Sequence, residues 1–250
     1  MNDFSFPLQG IKGYMNWSGG KDSSLCLHYA FAQKIPVQAL LTSVNKVHNR
    51  ISMHGVRNEL LDQQAASIGL PLHKIELPEQ PGMDEYEELM TTKVQQLKSE
   101  GFTHAIFGDI FLEDLKRYRE EKLQSLDISC LFPLWKKDTK ELMQEFLALG
   151  FKAIIVCVNE KFLDKSLCGR LIDESFVRDL PPNVDVCGEN GEYHSFVFDG
   201  PIFKQPIAFT KGEIVYRKYE APKNTQDSCN PMNQASQYGF YFCDLLPKDE

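Results

Sequence analysis

The chain has 250 residues, 42% hydrophobic and 25% charged, ordinary values for a globular protein with a sizeable core. Its 27 basic and 35 acidic residues give a formal net charge of −8, which speaks against a nucleic-acid partner and favours a small molecule or a protein. No apolar run approaches the roughly 18 residues needed to span a bilayer, so no membrane association is expected. Residues 1–4 do not open a secretory signal. The 7 cysteines are scattered without a C-x-x-C pair, so the expected protein is cytoplasmic, with reduced thiols.

Residues 14–17 are an apolar run that reads as a first strand. It is followed by Ser18-Gly19-Gly20-Lys21-Asp22-Ser23 and a helix over 23–33. Pro36 closes that helix, and 37–44 is a second strand apolar enough to be buried on both faces. A polar stretch, 45–52, leads to a helix over 56–68 capped by Gly69. A third strand at 72–77, a helix over 84–100, a fourth strand at 103–107 running into Gly108-Asp109, and a helix over 112–126 continue the alternation. After a strand-like piece at 129–132 come a helix over 139–149 and a strong strand at 152–158. This rhythm predicts an α/β fold, a doubly wound parallel sheet with helices on both faces.

Beyond 159 the rhythm breaks. Prolines cluster at Pro181-Pro182, and β-type runs appear at 193–198 and 213–219. The expected organisation is an α/β domain over 1–158, which carries Ser18–Ser23, a smaller α+β domain over 159–222 and a tail over 223–250. The tail, rich in Asn, Gln, Ser and Pro with one apolar patch at 238–246, reads as loosely ordered or used in subunit contacts such as a homodimer.

The stretch from Ser18 to Ser23 is built for phosphate. Its glycines let the backbone approach a ligand, successive N–H groups form a nest at a helix N-terminus, and Lys21 adds charge. Ser18, Ser23 and Ser24 offer hydroxyls. Asp22 suits either a Mg²⁺ ion bridging the phosphates or a helix cap. At the carboxyl end of the second strand, Thr42-Ser43 is the expected adenine contact, with Met53 and His54 approaching the base and Arg57 within reach of a phosphate. Gly108-Asp109 follows a buried strand, where Asp109 meets ligand or metal or caps the next helix. On that next helix, Arg117 and Arg119 are candidate phosphate or substrate contacts. A third feature is Gly188-Glu189-Asn190-Gly191-Glu192-Tyr193-His194-Ser195. Here Glu189 and Glu192 could bind a cationic group, hold ammonium or act as general base. Cys187 is either a nucleophile or a buried small hydrophobe.

The Walker A pattern is absent. Placed between a first strand and a first helix, S-G-G-K-D-S resembles the PP-loop of the N-type ATP pyrophosphatases, which cleave ATP between the α and β phosphates. Together with G-D after the fourth strand, F-P-L-W midway, and D-x-C-G-E-N-G-E-Y-H-S-F-x-x-D-G-P over 185–201, the chain is similar to the diphthine–ammonia ligase family. That is a branch of the adenosine nucleotide α-hydrolases with a Rossmann-like fold. The resemblance spans about 12–203. It implies an ATP-dependent ligase that adenylates a carboxylate of a small molecule or a protein, then lets ammonia displace AMP. In that scheme Lys21 and Asp109 serve ATP, and Gly188 to Ser195 hold the carboxylate. Two other readings are a nucleotide-sensing module without turnover and a tRNA-modifying enzyme of the same loop class. The acidic charge and the missing C-x-x-C weigh against the last.

Overall fold

The computed structural model describes residues 10–51, 54–79, 82–220 and 237–248. The first part of the chain alternates as the sequence anticipates. In order come β1 (Gly13–Asn16), α1 (Lys21–Ala32), β2 (Val37–Asn45), β3 (Arg50–Ile51), α2 (Asn58–Ile68) and β4 (Leu72–Leu77). Then follow α3 (Met83–Ser99), β5 (His104–Ile106), α4 (Glu113–Gln124), β6 (Ser129–Leu131) and α5 (Thr139–Ala148). The strands β4, β2, β1, β5 and β6 lie side by side and parallel, and the short β3 pairs antiparallel with the end of β2. The chain leaves β1 toward β2 on one side and returns with β5 on the other, so strand order reverses at β1. Ligands of such sheets sit outside the carboxyl ends of the strands at that reversal. The turns there are the Ser18–Gly20 loop and Gly108-Asp109, and Gly108 abuts the Asp22 backbone at the first turn of α1.

Alternation along each strand sends neighbours to opposite faces. Met15, Leu40 and Ile106 belong to one core with Leu27, Leu60 and Leu61; Tyr14, Leu41 and Ala105 belong to a second with Val94, Leu97 and Leu123. Each face is therefore closed by its own helices, α1, α2 and α5 on one and α3 and α4 on the other. Of α4 only Leu123 is buried; Arg117 lies on its exposed face, while Arg119 turns in toward Asp109.

The second part is an antiparallel sheet of β7 (Lys152–Asn159), β8 (Tyr193–Asp199), β9 (Phe209–Glu220) and β10 (Gln237–Pro247), in the order β8-β7-β10-β9. A 3₁₀ turn (Lys165–Leu167) and α6 (Glu174–Asp179) join β7 to β8.

Two expectations need correction. The strand at 152–158, read as the end of the parallel half, pairs instead with β8 and β10. Its residues Ala153 to Asn159 are buried, and a strand covered on both faces looks alike in sequence whichever sheet it joins. The tail, read as loosely ordered or intersubunit, carries β10, an interior strand hydrogen-bonded to β7 and β9; residues 221–236 lie outside the described residues.

The larger core runs on from the first sheet into the second, taking in Ile154, Val156, Phe196 and Val197. No helix among the described residues is long and apolar enough to cross a membrane.

Candidate active site

The loop after β1 is held by the second sheet. Gly19 has φ +73°, a left-handed conformation that favours glycine. Its carbonyl accepts hydrogen bonds from Val197 N at 2.9 Å and from Gln64 Nε2 at 3.0 Å. At Gly20 the approach is closer still, since a Cβ would stand 3.0 Å from the Ser195 carbonyl oxygen and 3.1 Å from the His54 ring. Lys21 N donates to Ser195 Oγ at 3.1 Å. The serines organise the loop itself: Ser18 and Ser23 hydroxyls lie 3.1 Å apart, and Ser23 Oγ donates to Gly20 O at 3.0 Å. Ser24 is fully buried. The N-cap of α1, Gly20, has no side chain to offer, and the first amide of the helix, Lys21 N, is met from β8 by Ser195. A helix N-terminus with its dipole favours an anion.

Around that N-terminus sits a cluster of charges. Lys21, only 5% exposed, has Nζ 2.7 Å from both oxygens of Asp22. Burial works against its charge, but Asp22, with Tyr193 and Cys187 acting in the same sense, outweighs burial and holds the ammonium above the ordinary lysine value. It therefore stays charged at neutral pH. Asp109 does not cap α4, whose N-cap is Leu112. It faces Arg119, with Nε 2.8 Å from Oδ2 and Nη2 3.2 Å from Oδ1. Burial raises the Asp109 pKa, Arg119 opposes the rise, and Asp22 adds to it. Arg119 in turn lies over the Phe107 ring at 4.4 Å.

Glu189 completes the cluster. Its Oε1 accepts from Ile110 N at 2.8 Å, tying the 185–195 loop to the turn after β5. Burial, then the charge of Asp22, push its pKa up to about 7, with Asp109 adding and the Ile110 amide and Lys21 opposing. A carboxyl poised at neutrality can take and return protons.

The two glutamates of this loop have different surroundings. Glu192 is 1% exposed, and its oxygens accept from Asp185 N at 3.0 Å, Asn190 N at 2.9 Å and Asn190 Nδ2 at 3.1 Å. It is turned into the loop and builds it. Asp185 does similar work through Oδ2, which accepts from Cys187 N at 3.1 Å and Glu189 N at 3.0 Å. Gly188 and Gly191 supply the turns between them. Tyr193 donates to Val186 O at 2.6 Å and lies under Lys21, 5.4 Å from Nζ. Cys187 donates to Thr139 O at 3.3 Å, and burial pushes its thiol up to about 12. Such a thiol is a packed small hydrophobe and a poor nucleophile. His194 packs against His54 with ring centroids 4.5 Å apart and planes tilted by 33°. Burial pulls His54 down to about 4 and His194 well below its ordinary value, so both rings are neutral at pH 7.

Thus Ser18 to Ser23, Gly108, Asp109, His54 and Gly188 to Ser195 come together. Ser43 lies at the carboxyl end of β2, two residues past Leu41, whose carbonyl receives Trp17 N at 2.7 Å. Met53 lies outside the described residues. Arg57 turns away from the loop to pair with Asp244 of β10, Nη2 to Oδ2 2.8 Å. Arg117 pairs with Asp114 on the exposed face of α4. Among the described residues no group of three His, Cys, Asp or Glu side chains converges on a metal position. A Mg²⁺ ion held mainly by nucleotide phosphates needs only one or two carboxylates, and Asp22, 34% exposed, fits that need.

Gln64 escapes a reading of the sequence for chemistry. It is wholly buried on α2, accepts from Trp17 Nε1 at 2.9 Å and donates to Gly19 O at 3.0 Å and Val197 O at 2.6 Å. One amide thus joins β1, the loop and β8. The available signal is a glutamine at the helical spacing of an apolar stripe, after Leu60 and Leu61 and before Ala65 and Ile68.

Both parts of the chain match known families. Residues 11–126 match the diphthamide synthase N-terminal domain and residues 138–224 the diphthamide synthase C-terminal domain. The diphthine–ammonia ligase of Mus musculus is 28% identical over 228 residues, 82% of this chain and 85% of the relative. That of Homo sapiens is 26% identical over 228 residues, with the same two shares. The Schizosaccharomyces pombe protein of that name is 25% identical over 261 residues, 93% of this chain and 42% of its own length.

Proposed function

The chain belongs to the diphthine–ammonia ligase family, and on that premise we propose that it uses ATP and ammonia to convert a diphthine carboxylate into its amide, releasing AMP and pyrophosphate. A carboxylate is inert to ammonia until its oxygen becomes part of a good leaving group. In the first step a carboxylate oxygen attacks the α phosphorus of ATP, the α–β bridge bond breaks, and pyrophosphate departs. In the second, the nitrogen lone pair of ammonia attacks the acyl carbon, the acyl–oxygen bond breaks, AMP leaves with that oxygen, and the nitrogen releases one proton to solvent.

The residues divide the work as follows. Lys21 and the N-terminus of α1 neutralise the phosphates. On nucleotide binding Lys21 exchanges its Asp22 partner for phosphate oxygens, and Asp22 is the residue that would then hold Mg²⁺. That ion would supply charge neutralisation on the leaving pyrophosphate. Asp109, steadied by Arg119, borders the same crevice. Glu189, with a pKa near 7, takes the proton that ammonium must lose before its nitrogen can attack. Glu192 and Asp185 keep the substrate-side loop in shape, and Gly188 to Ser195 line the carboxylate site.

The observation that carries this reading is the bond from Lys21 N to Ser195 Oγ, 3.1 Å across 174 positions of sequence. It joins the phosphate loop and the glutamate loop into one site, as a reaction between nucleotide and acceptor requires. The test incubates the protein with Mg-ATP, ammonium and a diphthine-bearing protein while AMP and pyrophosphate are followed. The expected result is substrate-dependent AMP formation that falls by roughly 100- to 1,000-fold in Lys21→Ala. ADP as the product, or tight ATP binding with no turnover on that acceptor, would refute the assignment.

A further inference from the structure

We propose that Asp244, on β10, is a positioning residue for the phosphate loop. By holding Arg50 and Arg57 together it fixes His54 against Gly20 and Ser195. The strand that carries it lies beyond residue 224, where the match to the C-terminal domain family ends.

The chain of contacts is continuous. Asp244 Oδ1 accepts from Arg50 Nη1 at 2.8 Å and Arg57 Nε at 3.1 Å, and Oδ2 accepts from Arg57 Nη2 at 2.8 Å. One carboxylate therefore receives three charge-assisted bonds from two residues that flank a reversal of the chain. Arg50 and Arg57 face each other as an antiparallel bridge, and Ile51 N donates to Val56 O at 2.8 Å. Arg50 Nη1 also donates to Gly55 O at 2.7 Å, and the Phe242 ring of β10 packs against Gly55.

Next to Gly55 stands His54, with Nδ1 3.3 Å from Ser195 O and its ring 4.5 Å from that of His194. Ser195 is the residue whose hydroxyl receives Lys21 N. The Arg50 and Arg57 side chains are 30% and 35% exposed and that of Asp244 20%, so the pair is screened only in part. Burial works against ionising Asp244, yet the hydrogen bonds from Arg57 and Arg50 outweigh it and bring the carboxyl down to about 2. It is therefore an anion whenever the enzyme works. A strand of the second sheet thus reaches the nucleotide loop through the turn that carries His54.

The test follows two readouts in Asp244→Asn. One is the titration of His54 by NMR of histidine-labelled protein. The charged and titratable groups facing that ring are His194 of β8 and Lys21 of α1. Removing a carboxylate would by itself lower an imidazole pKa, whereas release of the ring into water raises it. The expected result is a shift of His54 upward from about 4 toward its ordinary 6.5.

The other readout is steady-state AMP formation, with KM for ATP rising on the order of tenfold while kcat changes little, and with Asp244→Glu restoring part of the loss. A folded Asp244→Asn protein whose His54 still titrates as in the wild type would overturn the proposal, as would a fall in kcat without a change in KM. If Asp244→Asn does not fold, the same readouts on Arg57→Gln, which leaves the Arg50–Asp244 pair in place, decide between these outcomes. The kinetic readout rests on the ATP reading above, but the titration does not. Absence of turnover in the wild type would therefore sink that reading alone.

Discussion

Glu189 and Glu192 stand three residues apart and differ in everything that matters chemically. Glu189 gives one oxygen to the Ile110 amide and keeps company with Asp22 and Asp109, which together with burial lift its pKa to about 7. Glu192 spends its oxygens on the backbone and side chain of its own loop. The two substitutions to glutamine should therefore separate. Glu189→Gln is expected to lower kcat by about 100-fold or more with little change in folding. It should also flatten the rise in rate that the wild type shows as pH passes upward through about 7, because the base form is the active one. Glu192→Gln keeps the shape but loses charge-assisted bonds, so it should lower stability and leave that pH limb in place. Rate profiles between pH 5 and 9 paired with urea melts distinguish the two. A Glu189→Gln profile with the wild-type limb would remove Glu189 from the proton transfer.

At the level of elements, the phosphate loop owes its shape to neighbours distant in sequence. Helix α2 contributes Gln64, whose amide satisfies Trp17, Gly19 and Val197 at once, and β8 contributes the Val197 amide and the Ser195 hydroxyl. Replacing Gln64 with leucine keeps the volume but leaves buried donors and acceptors without this partner, each costing about 1–3 kcal/mol. Gln64→Leu is thus expected to lower the urea midpoint by an amount worth about 3 kcal/mol and to weaken ATP binding by loosening Gly19. Equilibrium unfolding followed through Trp17 and Trp135 measures the first effect. An unchanged midpoint would mean that the loop is held by β8 alone.

For the whole molecule, acid stability is set by groups that act in opposite senses. His54 binds its proton in the folded state only near pH 4, whereas the unfolded chain takes it up near 6.5, so stability falls as pH drops across that window, and His194 acts in the same direction. Glu189 does the reverse: the folded state keeps its proton up to about 7 while the unfolded chain releases it near 4.5, so stability falls as pH rises between those values. The contributions partly cancel in the wild type. In Glu189→Gln this opposing contribution is gone, and unfolding free energy should climb more steeply with pH from 4 to 6.5 than in the wild type. Below 3.8 a further loss is expected as Asp244 protonates toward its value near 2 and releases Arg50 and Arg57. Urea midpoints at a series of pH values check both statements, and parallel wild-type and Glu189→Gln curves would contradict the first.

How much of this was legible beforehand follows from the range of the forces involved. Local rules sufficed for the alternation of strands and helices, for the Ser18–Ser23 loop at the head of α1 and for the glycines and acids of 185–192, because spacing, turn chemistry and helix ends act over a few residues. The family motif added the pairing of those two loops. Sequence could not say which sheet would take Lys152–Asn159 or that Gln237–Pro247 would become an interior strand, since an apolar run suits any sheet whose register it fits. Nor could it say that Arg57 would turn to Asp244, that Gln64 would hold Gly19, or that Glu189 would sit near neutrality while Glu192 was spent on its own loop. Those outcomes depend on burial and on charges brought together across the fold, and only the tertiary structure decides them.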